Sequence, residues 1–334
     1  MVESPIEAAL VVLGPVVVFV VGAAVGLLYL GIDRKLVAHM QGRIGPPIIQ
    51  PFRDVEKLLM KESIVPDGSI AWLFRAAPMF CLIASGALLL YIPLFGQPAI
   101  LGGYGDAIVV LYLLTVPSLA MVVGGFASGS PYATVGGQRE MVVMMSYEFP
   151  LALTIVALGW RIGQVTDANP FMLSTMASFP IWNLVGPVGF VGTVILLLVL
   201  LVVTPAELSK VPFDIPEAET EIAGGLLVEY SGRNLALYYV ATAVRTLAIA
   251  ALVVALFFPY RLSGLVGVEA SVPMAALDVV WFLIKVFVVL FVCVMVVRSA
   301  MARFKIDQAT RIYFIWVTLI GLFGLLLVWV DLLL

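Results

Sequence analysis

The feature that most limits how this chain can fold is the recurrence of apolar runs long enough to cross a lipid bilayer. A spanning helix needs about 20 predominantly apolar residues. Eight such runs can be drawn, over roughly 6–30, 70–94, 107–127, 140–160, 182–204, 235–258, 275–297 and 312–332. Of the 334 residues, 63% are hydrophobic and 12% are charged, whereas a soluble domain carries about 25% charged residues. The chain is therefore predicted to be an all-α polytopic membrane protein, with residues 1–334 forming one integral membrane domain.

Few side chains in this sequence are suited to hold a metal or a redox group. Cys81 and Cys293 both lie inside apolar runs, and His39 is the only histidine. A ligand set for zinc, haem or an iron–sulfur cluster is therefore not expected in this chain. The net charge of −3 also provides no basic surface for a nucleic acid.

The distribution of Lys and Arg predicts the orientation in the membrane. Thirteen of these residues lie in or beside the loops after spans 1, 3, 5 and 7, and only Arg161 and Arg261 lie in the other loops. Because positively charged loops stay in the cytoplasm, the odd-numbered loops are predicted to be cytoplasmic and both termini to face outward. The first run is long and is preceded by acidic residues, which argues against a cleaved signal peptide.

A basic segment over residues 31–69 is predicted to contain an amphipathic helix. Pro51 can start a helix, and from there four apolar residues share one face while three basic residues share another. The apolar residues are Phe52, Val55, Leu58 and Leu59, and the basic ones are Arg53, Lys57 and Lys61. This pattern is typical of a helix that lies in the membrane interface. The alternative is a connector that simply rests on lipid headgroups.

A second segment, over residues 204–234, is acidic although it is predicted to be cytoplasmic. Its six acids are Glu207, Asp214, Glu217, Glu219, Glu221 and Glu229. Pro205, Pro212 and Pro216 are predicted to end the preceding helix and to start a new one, on which Glu217 and Glu221 share one face. Carboxylates crowded in a partly dry site can retain a proton near neutral pH and relay it. The alternative is a solvated acidic loop.

Ionisable residues inside the spans are costly and are usually functional. Glu140 is predicted to open span 4, and Glu148 to lie two turns deeper on the same half of the helix. Arg245 lies in the middle of span 6, and Asp278 and Lys285 lie seven residues apart in span 7. We expect Glu140, Glu148, Asp278 and Lys285 to belong to a proton pathway. An ion pair that packs helices together is the alternative, above all for Arg245 and Lys285.

Two classes of function are compatible with these residues. One is an ion-translocating subunit of a larger machine, and the other is a self-contained secondary transporter. A transporter should show helix breaks at the midplane in two related halves. Here the breaks and acids concentrate in the predicted cytoplasmic loops, which favours a docking and proton-routing subunit.

Several motifs together resemble one family, that of the quinone-proximal subunit 1 of complex I. They occur in family order and cover almost the whole chain: DRKLVAHMQGRIGPP, QPFRDVEKLLMKE, GSPYATVGGQRE, SYEFP, VPFDIPEAETEIAGGLLVEYSG and RSAMARFKIDQATR. The resemblance implies a subunit that anchors a peripheral redox arm and starts a file of carboxylates into the membrane. The matching carboxylates are Glu148, Glu207, Asp214, Glu217, Glu219, Glu221 and Glu229. The basic residues matched to the docking chamber are Arg34, Arg43, Arg139, Arg298 and Arg303, to which we add Arg245.

Two departures from the family pattern are informative. RIGPP runs directly into IIQPF, without the longer glycine–proline stretch usual in quinone-reducing members. Thr242 stands where a glutamate is common, with Arg245 one turn later. The short form resembles the branch found in group 4 membrane-bound nickel–iron hydrogenases, formate hydrogenlyases and related sulfane-reducing complexes.

That branch implies a particular set of partners and a location. The partners would be an iron–sulfur small subunit and a nickel–iron large subunit on the cytoplasmic side, with antiporter-like subunits in the membrane. The clusters and the nickel–iron centre would belong to those partners, and the complex would lie in the inner membrane of a prokaryote. The alternative is the quinone-binding subunit of respiratory complex I.

Overall fold

The computed structural model of the protein describes residues 5–266 and 272–334. Within these residues eight helices are long and apolar enough to cross a membrane, and no β-strand is formed. The predicted all-α polytopic fold is therefore confirmed. In chain order the helices are α1 (Pro5–Met40), α2 (Gln50–Met60), α3 (Ala71–Tyr91), α4 (Ala107–Ala127), α5 (Pro131–Gly163), α6 (Leu173–Ser178), α7 (Pro187–Glu207), α8 (Glu219–Ile222), α9 (Gly232–Phe257), α10 (Leu262–Val266), α11 (Val272–Leu290), α12 (Val297–Ala300), α13 (Ile306–Arg311) and α14 (Thr318–Leu333). Two π-helical stretches, Phe291–Val296 and Ile312–Val317, make α11–α12 and α13–α14 continuous.

The long helices alternate in direction, so their connections gather at two ends of the bundle. We call the end that holds residues 41–70, 128–130, 208–231 and 301–305 the basic end, and the opposite end the far end. Backbone hydrogen bonds join the connections at the basic end, such as Ile70 N to Ala127 O at 2.9 Å and Phe304 N to Pro212 O at 3.0 Å. The distribution of Lys and Arg predicts that the basic end faces the cytoplasm.

Helix α9 lies at the centre of the bundle. Every residue from Ala243 to Phe257 is at most 5% exposed. Helix α1 approaches α9 so closely at Gly26 that a Cβ there would lie 2.2 Å from the carbonyl oxygen of Ala243. The surrounding helices expose large apolar side chains, such as Val17 and Phe80, which suit contact with lipid.

The connections at the basic end are shorter than predicted because the helices continue past the apolar runs. Helix α1 extends to Met40, so Arg34 lies on the helix and not in a loop. The amphipathic helix is present as α2, whose Phe52 and Val55 pack against α1 and α9. Arg53 on the same helix is exposed. The acidic connection is likewise shorter than residues 204–234, because α7 extends to Glu207 and α9 begins at Gly232.

Candidate functional site

The most buried ion pair among the described residues joins α7 and α9. Nη2 of Arg245 lies 3.0 Å from Oε1 of Glu207, and their side chains are 4% and 2% exposed. The same guanidinium also donates to the backbone carbonyl of Glu207. Glu207 is the last residue of α7, and the final carbonyls of a helix have no partner within that helix. Arg245 therefore neutralises a carboxylate and satisfies a helix end at once.

A second carboxylate, that of Glu140 on α5, lies next to this pair. Glu140 is 2% exposed and lies beside Ser118, Ser209 and Arg245. Its Oε1 has no hydrogen-bond partner among the described residues. The prediction that Glu140 opens span 4 was wrong, because α5 begins at Pro131 and places Glu140 more than two turns inside the helix.

These three residues form what we call the Glu–Arg cluster, Glu140, Glu207 and Arg245. Two carboxylates share one guanidinium, so one negative charge is left over if both are ionised. Buried like charges at short range resist simultaneous ionisation. The hydroxyl of Tyr147 also lies near both carboxylates and has no partner within the described residues. The cluster therefore has the composition of a site that can take up and release a proton.

A cavity of about 420 Å³ opens beside the Glu–Arg cluster at the basic end. Arg245 lines the cavity as well as belonging to the cluster, and Ser209 lies beside both. Seven lining residues carry acidic or basic side chains: Asp33, Arg34, Lys210, Glu217, Glu219, Arg245 and Arg298. The cavity is thus a charged space that meets the buried cluster.

Two side chains that line this cavity, those of Glu217 and Lys210, have pKa values shifted from their ordinary ones. Burial raises the pKa of Glu217 to about 7, against the opposing effect of Lys210. Burial also lowers the pKa of Lys210, although Asp33 and Glu217 act against this shift. Glu217 can therefore change its protonation state near neutral pH.

The prediction that Glu217 and Glu221 share one face of a helix was wrong. The helix in this segment, α8, covers only Glu219–Ile222, so Glu217 precedes it. Pro212 and Pro216 interrupt the segment, and proline cannot donate the hydrogen bonds that a helix interior needs. Glu217 is partly buried and lines the cavity, whereas Glu219 and Glu221 are exposed.

Ion pairs hold the wall and rim of the cavity together. Helices α1 and α12 are joined by Asp33 and Arg298 at 2.6 Å, and α1 and α2 by Arg34 and Asp54 at 2.7 Å. The acidic segment is held by two further pairs: Arg139–Glu221 at 2.6 Å and Arg303–Asp214 at 2.6 Å. Five of the six basic residues predicted for the docking chamber thus engage a carboxylate: Arg34, Arg139, Arg245, Arg298 and Arg303.

The remaining predicted residues lie apart from the Glu–Arg cluster. Arg43 is exposed and donates to Gln41 beside a second, more open cavity. Glu229 is partly buried. Glu148 is partly buried on a different side of α5, between the exposed Met145 and Phe149.

Asp278 and Lys285 lie at the far end of the bundle. Asp278 accepts hydrogen bonds from the backbone N and Oγ of Ser263, and Lys285 donates to the carbonyls of Phe258 and Tyr260. Those carbonyls follow the end of α9, about 20 Å along that helix from Arg245. The structure does not join these two residues to the other predicted acids.

Sequence reasoning missed three contributors to the site. Asp33 stands directly before the basic pair Arg34–Lys35, and an acid beside two bases there was a signal for an ion pair. Tyr147 and Ser118 gave no signal, because their place beside Glu140 depends on how α4 and α5 pack. Within the described residues no group of three His, Cys, Asp or Glu side chains is arranged to hold a metal ion.

The fold and the site together define a class: a polytopic membrane protein in which a charged cavity at one end leads to buried carboxylates between helices. Residues 13–329 match the family model described as NADH dehydrogenase. The H subunit of NADH-quinone oxidoreductase from Anaplasma phagocytophilum is 33% identical, with 94% of this chain and 96% of that protein covered. The same subunit of Brevibacillus brevis is 32% identical, with 88% and 85% covered.

A solved structure also resembles the chain over almost its whole length. A chain of the membrane-bound sulfane sulfur reductase, an archaeal respiratory membrane complex, aligns with a TM-score of 0.81 and 28% identity. The alignment covers 95% of this chain and 99% of that one. The protein belongs to the subunit 1 family of complex I and the related membrane oxidoreductases, as the sequence motifs implied. It is a membrane subunit of a multi-subunit complex, which disfavours the stand-alone transporter.

Proposed function

We propose that this chain is the membrane-anchor and proton-routing subunit of a complex I-related oxidoreductase of the hydrogenase type. Its basic end would dock an iron–sulfur small subunit and a nickel–iron large subunit. Antiporter-like subunits would adjoin it within the membrane. The chain would transmit the energy of electron transfer in those partners to the movement of protons or sodium ions.

The observation that carries this proposal is the contact between the charged cavity and the Glu–Arg cluster. Glu217 reaches the cavity, and Arg245 belongs to both the cavity wall and the buried pair. Glu140, on α5, lies beside Arg245 and extends this group of ionisable residues further into the bundle. Ionisable residues at such depth are expensive and mark ion pathways. A change of charge at the docked partner could therefore alter protonation inside the bundle.

The hydrogenase type is favoured by the cavity lining and by the short RIGPP segment. Ligand pockets for a large apolar molecule are lined mainly by hydrophobic and aromatic side chains. Here only seven of the sixteen lining residues are apolar or aromatic, and another seven are acidic or basic, which suits water and protons better than a quinone ring. The second candidate, a quinone-binding subunit of respiratory complex I, is favoured by the names of the two relatives that are 32% and 33% identical.

The composition and activity of the purified complex separate these candidates. The complex is isolated by a tag on this chain, and its nickel content, hydrogen evolution from reduced methyl viologen and NADH-dependent quinone reduction are measured. We expect stoichiometric nickel and hydrogen evolution. A nickel-free complex that reduces quinone would establish the second candidate instead.

Coupling is tested by replacing Glu140 with Gln in complex reconstituted into liposomes. The variant keeps the side-chain volume but cannot release a proton, so ion uptake driven by electron transfer should be lost while hydrogen evolution persists. Glu56→Gln, an exposed carboxylate on α2, is the matched control. Cross-linking that places the cluster-bearing partner only at the far end would contradict the docking part of the proposal.

A further inference from the structure

A cavity at the far end of the bundle has no part in the proposed function. Its volume is about 620 Å³, within the range of about 300–1,000 Å³ typical of ligand pockets. It lies among the loop after α3, helix α6, the end of α9, helix α10 and the middle of α11. Apolar side chains, including Val254 and Phe282, form part of its wall.

The cavity carries positive charge that the described residues do not neutralise. Lys285 and Arg261 both line it, and neither forms an ion pair with a described residue. Asp278 also lines the cavity, and its carboxylate accepts hydrogen bonds from the backbone N and Oγ of Ser263 at 2.9 and 2.7 Å. It offsets one of the two positive charges, so the described lining carries one net positive charge. The Nζ of Lys285 donates to two carbonyls at 2.8 and 2.9 Å. Because an ammonium has three donors, one remains for a ligand.

An aromatic side chain forms part of the same cavity wall. Trp281 lines the cavity together with Tyr260 and Phe282. The cavity thus offers two cations to an anion, beside apolar and aromatic side chains.

The position of the cavity identifies the source of the anion. It adjoins the end of a membrane-crossing helix, where the hydrocarbon region gives way to the headgroup layer, and Trp281 and Tyr260 are residue types enriched at that interface. Lys and Arg side chains near the headgroup layer attract anionic phospholipids electrostatically. We propose that this cavity binds the phosphate headgroup of an anionic phospholipid, with the acyl chains leaving along the apolar wall.

Binding of a short-chain lipid to the delipidated, purified complex tests this proposal. The probe is dihexanoyl-phosphatidylglycerol below its micelle concentration, and the measurement is its dissociation constant and stoichiometry. We expect one saturable site that Lys285→Met weakens by about tenfold or more, the loss of a hydrogen bond to a charged group. Arg53→Gln at the basic end should leave the affinity unchanged.

Two results would overturn the proposal. One is equal binding of dihexanoyl-phosphatidylcholine that is insensitive to Lys285→Met, since the anionic headgroup would then not be recognised. The other is displacement of the lipid by inorganic phosphate at the same concentration, since the site would then bind the free ion. If Lys285→Met does not assemble, Arg261→Gln at an exposed position replaces it, with the same expected loss.

Discussion

Removing the guanidinium of Arg245 should destabilise the protein more than removing either carboxylate beside it. At the 3.0 Å separation from Glu207, two unit charges attract by about 5 kcal/mol with an effective dielectric constant of about 20. Breaking a buried pair by removing one partner costs about 3–5 kcal/mol, because a charge is left uncompensated. Arg245→Met leaves two carboxylates without a cation, so we expect a loss at the upper end of this range.

Glu207→Gln is the matched comparison for this loss. It keeps the bond from Arg245 to the backbone carbonyl of residue 207 and leaves Glu140 as a counter-charge, so we expect a cost of only about 1–2 kcal/mol. The double variant should be less destabilised than the sum of the two single variants, because it removes both members of the pair. The assay is urea unfolding in mild detergent, followed by tryptophan fluorescence. Additive losses, or Glu207→Gln as damaging as Arg245→Met, would refute the reasoning.

Three other predictions concern pH, coupling and metal content. Glu217 binds a proton more tightly in the folded protein, because its pKa is about 7 there against an ordinary 4.5. Proton binding at Glu217 therefore stabilises the fold fully below pH 4.5, and this contribution is lost as the pH rises through 7. Glu217→Gln should therefore be more stable than wild type at pH 8, on the order of 2 kcal/mol, and equal to it at pH 4; an equal difference at both pH values would contradict this. If Glu148 relays protons, Glu148→Gln should sharply lower ion pumping but leave hydrogen production from an artificial donor intact; wild-type pumping by the assembled variant would end the relay hypothesis for Glu148. The isolated chain should contain no stoichiometric iron or nickel by elemental analysis, since its two cysteines and one histidine cannot form a cluster site.

The eight crossings could be predicted from the sequence because each depends on a local quantity, about 20 apolar residues in a row. The amphipathic helix α2 was predictable for the same reason, since its apolar and basic residues repeat at helical spacing. The helix ends were less accurate. Polar residues such as Arg34 continue α1 beyond its apolar run, and hydropathy alone cannot detect this extension.

The arrangement of the site could not be predicted from local patterns. Glu207 and Arg245 are 38 residues apart, and only the packing of α7 against α9 brings them into contact. Tyr147 and Glu148 are neighbours on α5, yet one faces the Glu–Arg cluster and the other lies between exposed apolar residues. Spacing within a helix shows which residues share a face, but it does not show what that face contacts.

The burial of α9 has a consequence for how the chain enters the membrane. A helix enclosed by other helices must still insert as a segment of its own, and the long apolar run of α9 supports insertion even with Arg245 at its centre. Synthesis proceeds from the N-terminus, so α7 precedes α9 and Glu207 is already in place when the arginine arrives. The order of the two residues along the chain thus supplies the counter-ion before the cation that needs it.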